Sequence, residues 1–222
     1  QMAFARFGLM KTNGLAFWKL LGTGKGLGFS LEPDLNRYAL LCSWKTKSDA
    51  ERFFRSSALF LSFSMHAEKI LTISMLPVSS HGKWSGTNPF EINSFKANSF
   101  NDQSEMPVTG PVAVLTRAAI RMTKLHRFWH YVPSAGSSLK QAQGLIFSSG
   151  IGEAPVFRQA TFSVWRSLGD MEKYAYAADA HKEIIKRTRK ENWYKEELFA
   201  RFKITSVEGS LNGADKLKGI LL

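Results

Sequence analysis

Cysteine and long apolar runs are both scarce in this 222-residue sequence. The single cysteine, Cys42, excludes an intramolecular disulfide and any cysteine-rich zinc or iron–sulfur cage. No apolar run reaches about 18 residues, so no segment is expected to cross a membrane as a helix. Residues 1–6 also lack the basic-then-apolar layout of a signal peptide. These absences favour a reducing cytoplasm as the compartment.

Acidic residues are the second scarcity: 18 acidic residues stand against 30 basic ones, a net charge of +12. Such a surface attracts nucleic acid, anionic lipid headgroups or an acidic redox partner. A nucleic-acid binder would interleave aromatic residues with cations on an exposed sheet face. Here the strand aromatics stand among apolar residues, so no nucleic-acid partner is predicted. The 17 Phe and 6 Trp instead suit a generous core or a lipophilic pocket.

The sequence passes twice through a similar plan, which indicates two fused copies of one unit. Each pass opens on an apolar segment and then shows a Phe-Trp pair, a Gly-rich turn, a strand ending in Trp, a long helix and a last strand. In the first pass these are residues 2–10, 17–18, 22–26, 38–44, 50–69 and 70–78. In the second they are residues 112–115, 128–129, 150–152, 159–165, 171–191 and 198–205, with a looser Ser/Gly stretch at 134–138.

The order strand, helix, strand, strand, helix, strand is the ferredoxin-like arrangement, βαββαβ. We therefore predict an α+β protein of two fused ferredoxin-like halves, packed face to face or closed into one barrel like the dimeric α/β barrels. The halves are residues 1–80 and 111–207. The polar segment 81–110 between them is too long for a simple connection, so it is a functional loop, a lid or a linker. Residues 208–222 are expected to form a flexible C-terminal tail.

Three blocks carry a family resemblance. They are residues 17–29 (Phe-Trp-Lys-Leu-Leu-Gly-Thr-Gly-Lys-Gly-Leu-Gly-Phe), residues 84–90 (Trp-Ser-Gly-Thr-Asn-Pro-Phe), and residues 150–165, which hold Gly-Ile-Gly-Glu-Ala-Pro and Arg-Gln-Ala-Thr-Phe-Ser-Val-Trp. In this order the chain resembles the spheroidene monooxygenase family, the acyclic-carotenoid 2-oxygenases or ketolases, over residues 4–203. Any one block alone would be a weak signal.

The resemblance implies a haem-containing monooxygenase that uses dioxygen and electrons from a reduced ferredoxin-type donor. Its substrate would be an acyclic carotenoid, hydroxylated and then oxidised to a ketone at one end. It also implies a fold like the dimeric α/β barrels, and a homo-oligomer is compatible with it. The expected location is cytoplasmic and peripheral to the inner membrane. A non-catalytic α/β-barrel protein that binds haem or an apolar ligand is the alternative.

Haem iron needs an axial ligand, usually His, Cys, Tyr or Met. The resemblance favours His181, which shares a helical face with Tyr174 and Ile185; a core histidine is the alternative. Cys42 competes as a thiolate but stands mid-strand, where a small buried residue is usual.

The other four histidines have ordinary structural interpretations beside functional ones. His126 and His130, at i and i+4, suit either a metal pair or a mixed surface helix. His66 suits a helix C-terminus, where a cation is favourable. His81, in the loop, is a candidate gate residue.

Two cations are candidates for binding the haem propionates, which the resemblance introduces. Lys25 stands in the Gly-rich turn, whose amide hydrogens can also face an anion, although a tight turn before a strand explains it equally. That turn lacks the spacing of a P-loop, so nucleotide binding is not predicted. Arg158 opens the second core strand and suits a carboxylate or a strand end.

Four aromatic residues are candidates for carotenoid contact. Trp44 and Trp165 end equivalent strands, where they either line a lipophilic cavity or pack the sheet. Trp84 and Phe90 stand in the connecting loop and are predicted to belong to a substrate lid. The basic run 182–190 is either a solvated helix face or a docking surface for an anionic membrane or an acidic ferredoxin.

Overall fold

Seven strands and five longer helices build the part of the chain that the computed structural model describes, which comprises residues 2–91, 109–154, 156–177, 186–212, 214–217 and 219–220. In chain order they are α1 (Met2–Met10), β1 (Leu15–Gly24), β2 (Pro33–Trp44), α2 (Lys47–Ser56), α3 (Ala58–His66), β3 (Leu71–Gly82), β4 (Val112–Ile120), α4 (Leu125–Lys140), β5 (Leu145–Ala154), β6 (Arg158–Trp165), α5 (Leu168–Ala177) and β7 (Tyr194–Gly209). Short 3₁₀ helices cover Met122–Lys124 and Asp215–Leu217.

The strands form one antiparallel sheet in the order β2-β1-β5-β6-β4-β7-β3. The order β5-β6-β4-β7 in the second half is that of a ferredoxin-like unit. The sheet curls, because inward side chains from strands at both of its ends belong to a single apolar cluster. The predicted α+β class and barrel-like arrangement of ferredoxin-like units are confirmed.

Strand β4 shows why its sequence reads as an almost continuous apolar run. Ala113 and Leu115 point into the curled sheet, whereas Val112 and Val114 point outward and pack beneath α4 and α5. Successive side chains of a strand alternate between faces, so a strand covered on both faces needs apolar residues at every position.

The internal repeat recurs in the structure with matched contacts. Thr46 accepts a hydrogen bond from the Asp49 amide at the start of α2, and Ser167 accepts one from the Asp170 amide at the start of α5. These side chains satisfy amides that a helix start leaves free. Trp44 packs on Phe53 in the first half, at a ring-centroid distance of 5.1 Å, and Trp165 packs on Tyr174 in the second, also at 5.1 Å.

A glycine in the left-handed region precedes the first strand of each hairpin: Gly14 has φ +77° and Gly144 has φ +79°. A Cβ atom at Gly14 would lie 2.1 Å from Asp49, and one at Gly144 would lie 2.4 Å from Asp170. Both the backbone angle and the close approach of the capping aspartate therefore require glycine. The segments that follow, Leu15-Ala16-Phe17 and Leu145-Ile146-Phe147, are true equivalents.

The predicted correspondence between the two halves was wrong for their first segments. Residues 2–10 form helix α1, not the opening strand that the predicted order requires. Phe17 and Trp18 lie in β1, whereas Phe128 and Trp129 lie in α4, so the two Phe-Trp pairs are not equivalent. A short apolar run does not by itself distinguish a strand from a buried helix.

The predicted helix over 50–69 is two helices, because the backbone is extended at Ser57 (φ −75°, ψ 122°), where α3 begins. In the second half, α5 is described as far as Ala177 and residues 186–190 are helical, while residues 178–185 lie outside the described part of the chain.

The described residues after β7 pack against the barrel interior, which their Gly-rich sequence did not indicate. Ala214 and Leu217 are buried in the inward-facing cluster. A cavity of about 340 Å³ lies beside this segment, and its lining residues are Pro111, Leu145, Ile146, Arg166, Lys216 and Ile220.

Replacing Gly150 by alanine is expected to destabilise the protein by about 1–3 kcal/mol, as overpacking does. The Gly-rich loop between β1 and β2 crosses the outer face of β5, and a Cβ at Gly150 would lie 2.0 Å from the Gly28 carbonyl oxygen. Urea unfolding measures the change. Gly22→Ala is the control, since a Cβ there meets nothing within 4 Å. Equal effects of the two substitutions would contradict this packing.

Candidate functional site

The loop after β3 turns inward and closes one end of the curled sheet. Trp84 is fully buried and Phe90 is 3% exposed. The Trp84 ring meets Phe17 edge-on at 5.7 Å, and the Phe90 ring meets Phe202 at 5.0 Å. The two residues predicted as a lid thus lie in the core of this end; their contact with a carotenoid stays a prediction.

Beneath Trp84, four charged side chains meet inside the sheet: Lys19 from β1, Arg117 from β4, Glu153 from β5 and Glu196 from β7. Lys19 Nζ lies 2.8 Å from Glu153 Oε1. Arg117 contacts both Glu153, at 3.4 Å, and Glu196. Two cations and two carboxylates therefore balance each other where water is largely excluded. We call these four residues the charged cluster.

Trp84 and its neighbours donate further hydrogen bonds to the two carboxylates of the charged cluster, whereas the buried Nε of Arg117 has no partner among the described residues. The indole N–H donates to Glu153 Oε2 at 2.8 Å. The amides of Ser85 and Gly86 donate to the Glu196 carboxylate at 2.9 and 2.8 Å. The Arg117 guanidinium lies 5.5 Å from the Trp84 ring centroid, a cation–π distance.

The three sequence blocks of the family resemblance meet at this cluster. Lys19 belongs to the first block, Trp84 and Ser85 to the second, and Glu153 to the third. Lys19 contacts both other blocks, because its ammonium also donates to Ser85 Oγ at 2.8 Å. The blocks are far apart in sequence but adjacent in space.

The cluster lowers the pKa of both carboxyl groups. Burial raises the pKa of Glu153, but hydrogen bonds from Lys19 and Trp84 and the charges of Lys19 and Arg117 outweigh it. Burial likewise raises the pKa of Glu196, and the Gly86 and Ser85 amides together with Arg117 outweigh it. Both groups are anionic at neutral pH.

The lowered pKa of Glu153 predicts a loss of stability in acid. A carboxyl whose pKa is lower in the folded than in the unfolded protein stabilises the fold above the ordinary value of 4.5. That contribution is lost as the pH falls through the folded-state pKa. Glu153→Gln is therefore expected to flatten the decline in unfolding free energy below about pH 4.5, measured by urea titration. Glu51→Gln, at an exposed position, is the control; unchanged pH dependence in Glu153→Gln would contradict the prediction.

Sequence reasoning did not single out the charged cluster as a site. The usable signal was a lone charge in an apolar strand: Arg117 within Val112–Ile120, and Lys19 between Trp18 and Leu20. An ionised side chain in such a strand is rarely buried unless it is paired.

A second polar feature crosses the outer face of the sheet. Strand register aligns His81 with Phe199, Phe199 with Thr116, and Thr116 with Thr161. The His81 ring stacks on Phe199 at 5.3 Å. We call the row of His81, Phe199, Thr116 and Thr161, together with Arg201, the outer polar strip, since all of its members except Phe199 are polar. It borders the apolar layer under α5, in which Phe199 packs with Trp165 and Tyr174.

Arg201 is the unusual member of the outer polar strip. Its guanidinium lies 5.5 Å from the Phe199 ring centroid and 3.6 Å from Glu172 Oε1. Its Nε atom is buried and finds no hydrogen-bond partner within the described ranges. A buried donor of a cationic group without a partner is costly, so this atom is suited to an anionic ligand.

The other predicted site residues are dispersed. Trp44 is half-buried, and Trp165 is buried with its indole N–H donating to Ser163 Oγ at 2.9 Å. Lys25 and Arg158 are exposed, and Lys25 pairs with Glu32 at 3.8 Å.

Burial raises the pKa of the Cys42 thiol to about 12, which disfavours a thiolate ligand. His126 and His130 are exposed on α4, and the ring of His66 is hydrogen-bonded to the Ser62 carbonyl oxygen. The predicted ligand His181 lies outside the described residues. Among those that are described, no three His, Cys, Asp or Glu side chains group as a metal site.

Comparison with known proteins decides the family. Spheroidene monooxygenase of Rhodobacter capsulatus is 34% identical over 222 residues, which are all of this chain and 89% of that protein. This chain belongs to the spheroidene monooxygenase family. The Rubrivivax gelatinosus spheroidene monooxygenase is 36% identical over 90% of this chain and 73% of its own length. The chain is accordingly a monooxygenase, as the three blocks indicated.

Solved structures support the fold alone. An aldoxime dehydratase aligns with a TM-score of 0.56 and 11% identity over 92% of this chain and 75% of its own. A second aldoxime dehydratase, OxdRE in complex with butyraldoxime, aligns with a TM-score of 0.55 and 13% identity. The alignment covers 98% of this chain and 79% of that protein. No protein-family model matches the sequence of this chain. Where the chain is described, none of its helices has both the length and the apolar character for crossing a bilayer.

Proposed function

We propose that this monooxygenase is haem-dependent and oxygenates an acyclic carotenoid with dioxygen and electrons from a ferredoxin-type donor. The observation that supports the substrate class is the identity of 34% over the whole chain with a spheroidene monooxygenase. Inserting one oxygen atom into a C–H bond consumes one dioxygen, two electrons and two protons and releases one water. An external electron donor is therefore part of the proposal.

The outer polar strip offers part of the chemistry that a haem requires. A haem presents two carboxylates and a flat apolar ring, and it needs an axial ligand. Arg201 offers a buried N–H without a partner, and Phe199, Trp165 and Tyr174 offer aromatic surface beside it. When bound, haem iron supplies the activation of dioxygen.

The residues of this chain have distinct roles in the proposal. His181 would hold the haem iron, on the grounds of the family resemblance. Arg201 would pair with a propionate. Lys25 and Arg158 stay candidates for the same role from the sequence, but both are exposed, and register places Arg158 on the inward-facing side of the sheet, opposite to Arg201. Of these three cations, Arg201 alone combines a buried, unpaired N–H with neighbouring aromatic rings. A guanidinium binds a carboxylate through two parallel hydrogen bonds, which also orients the group.

Substrate and partner contacts remain part of the same proposal. Trp44, Trp84, Phe90 and Trp165 are proposed to contact the carotenoid. The net charge of +12 supports docking of an acidic ferredoxin or an anionic membrane surface. The described cations of the basic run are Lys186, Arg187, Arg189 and Lys190, and they are the proposed docking surface. A location in the cytoplasm, peripheral to the inner membrane, is part of the same proposal.

Absorption spectroscopy tests the cofactor and its ligand. Wild-type protein produced with haem supply is expected to show a Soret band, which His181→Ala loses and His126→Ala retains. His126 is the matched control because it is exposed on α4. A band retained in His181→Ala would move the ligand to another residue. No band in folded, haem-supplied wild type would overturn haem dependence.

Product analysis tests the reaction separately. The haem-loaded protein, reduced ferredoxin and a detergent-dispersed acyclic carotenoid are expected to give hydroxylated and keto products by mass spectrometry, with the added oxygen derived from ¹⁸O₂. A Soret band without any oxygenated product would favour the alternative, a barrel protein that binds haem without catalysis.

A further inference from the structure

Three contacting helices of the first half expose large apolar side chains. α1 packs against α3, because a Cβ at Gly8 would lie 3.1 Å from the Leu59 side chain. α2 joins them through the rings of Phe54 and Phe60, whose centroids are 5.0 Å apart. The exposed side chains on these helices form what we call the apolar patch: Phe7, Met10, Phe54, Leu61 and Met65, which range from 38% to 73% exposed.

Helix α3 is the most apolar part of the patch. Its nine residues include no Asp, Glu, Lys or Arg, and none of them is buried. A helix that is apolar on every side is normally enclosed by protein or lipid. Phe60 packs on Phe53 and Phe54, whereas Leu61 and Met65, at i and i+4, are exposed. The sequence of α3 therefore suits surroundings that are apolar on its outer side as well.

The second half shows that the fold does not require such residues at the surface. The matched glycines before β1 and β5 align α1 with the end of α4. Leu9 of α1 and its equivalent Leu139 of α4 are both buried. Exposed Met10 corresponds to Lys140, which is also exposed. Lysine is an ordinary choice at an exposed position, whereas contiguous exposed apolar side chains mark an interaction surface.

Unpaired cations accompany the apolar patch. Arg6 and Lys11 are exposed on α1, and Arg55 is exposed on α2. Within the described ranges, none of these three has a carboxylate partner. The sequences of α1 and α3 contain no acidic residue. Apolar side chains beside cations are typical of helices that lie in the headgroup layer of a bilayer with anionic lipids.

Two other pairings fit the observations less well. A second copy placed face to face on the patch would bring Arg6, Lys11 and Arg55 of both copies together, and like charges across an interface are unfavourable. The described part of the basic run, residues 186–190, exposes cations but contains no large apolar residue. It therefore suits an acidic protein better than a bilayer.

We propose that the apolar patch inserts into the headgroup layer of a bilayer that contains anionic lipids, with Arg6, Lys11 and Arg55 on the lipid phosphates. The membrane contact then lies on the first half, and the basic run is left for the electron donor. That the enzyme receives an acyclic carotenoid from this bilayer rests on the proposed function. The contact itself does not.

Co-sedimentation of the purified chain with vesicles of phosphatidylcholine and phosphatidylglycerol tests the apolar contact. Leu61→Gln/Met65→Gln is expected to weaken binding at least about tenfold, because it removes two apolar side chains from the headgroup layer. Met122→Gln/Phe157→Gln replaces two exposed apolar residues outside the patch and should bind like wild type. Exposed positions change stability little, which urea unfolding of each variant verifies.

The cations are tested in the same assay. Arg6→Gln/Lys11→Gln is expected to weaken binding at least about tenfold at low salt, because each cation near an anionic surface contributes to binding. Lys186→Gln/Lys190→Gln lowers the net charge equally but alters the basic run. It is expected to weaken binding by at most about threefold, since charges beyond a Debye length from the bilayer are screened.

A fluorescent label reports insertion directly. Met65→Cys, labelled with an environment-sensitive dye, is expected to shift its emission to the blue when vesicles are added. The same label at Met122→Cys is expected to keep its emission. Labelling is selective because burial raises the pKa of the native Cys42 thiol to about 12, so little reactive thiolate forms there.

Selective loss of binding in the two patch variants, with a blue shift at position 65 alone, would support the proposal. Four results would overturn it: no binding of wild type to the vesicles, equal loss in the Leu61/Met65 and Met122/Phe157 variants, a larger loss from the basic-run variant than from Arg6→Gln/Lys11→Gln, or a wild-type dimer that Leu61→Gln/Met65→Gln makes monomeric without changing vesicle binding. The vesicles contain no carotenoid and the assay needs no haem. A negative result therefore leaves the proposed oxygenation intact, and a failed oxygenation assay leaves the membrane contact intact.

Discussion

Replacing Arg117 by methionine lowers the free energy of unfolding by about 3–5 kcal/mol, the expected cost of breaking a buried ion pair from one side. The Arg117 side chain is 4% exposed and faces two carboxylates, which are 14% and 23% exposed. Without the guanidinium, Glu196 keeps only its backbone donors and Glu153 keeps Lys19 and Trp84. The loss therefore arises from desolvated negative charge, measured by urea unfolding at neutral pH.

A second substitution separates charge from packing. Adding Glu196→Gln to Arg117→Met is expected to restore part of the loss, because the neutral amide no longer needs a cation; coupling of contacting residues is commonly about 0.5–3 kcal/mol. Arg158→Met, at an exposed position, is the control and should change stability by less than about 0.5 kcal/mol. Additive effects, or a loss under 1 kcal/mol from Arg117→Met alone, would show that the four charges do not act as a unit.

Replacing Trp84 by alanine is expected to cost about 3–5 kcal/mol, the range for deleting a buried large aromatic side chain. Trp84 is fully buried, meets Phe17 edge-on and donates its indole N–H to Glu153. The substitution removes the ring that closes this end of the barrel and leaves the Glu153 carboxylate with one donor fewer. Thermal and urea unfolding measure the loss.

Trp84→Phe divides that loss into two parts. It keeps most of the apolar contact but removes the hydrogen bond to Glu153, so an intermediate loss is expected, of the size of one hydrogen bond to a charged group, about 1.5–3 kcal/mol, plus the volume change. Tyr38→Ala is the control, because Tyr38 is 59% exposed. A stable Trp84→Ala protein with reduced carotenoid turnover would instead indicate that this loop serves the substrate more than the fold.

The relation between sequence and structure is clearest in the repeat. Trp44 and Trp165 were expected to be equivalent, and they are, because each ends a strand and precedes a helix start with its own capping Thr or Ser. The two Phe-Trp pairs were not, since one lies in a strand and the other in a helix. A helix-capping residue together with a hydrophobic periodicity identifies a helix or strand, whereas a dipeptide shared by two segments does not.

The candidate site was less accessible to sequence reasoning. Lys25 and Arg158 stood out beside glycines and strand ends, but both are exposed. Arg201, whose Nε is buried and unpaired in the described part of the chain, lies in a strand of alternating charges and apolar residues and gave no such signal. Its burial depends on α5, which is distant in sequence.

By itself, the sequence determined the α+β class, the duplication and the family, since these depend on local periodicity, capping residues and the three ordered blocks. Tertiary structure alone decided that those blocks meet at the charged cluster, that Trp84 closes the barrel, and that the outer polar strip forms across four strands. Strand order, not sequence distance, places Lys19, Arg117, Glu153 and Glu196 together. Pairing between distant strands depends on the burial of whole sheet faces, which a local pattern does not encode.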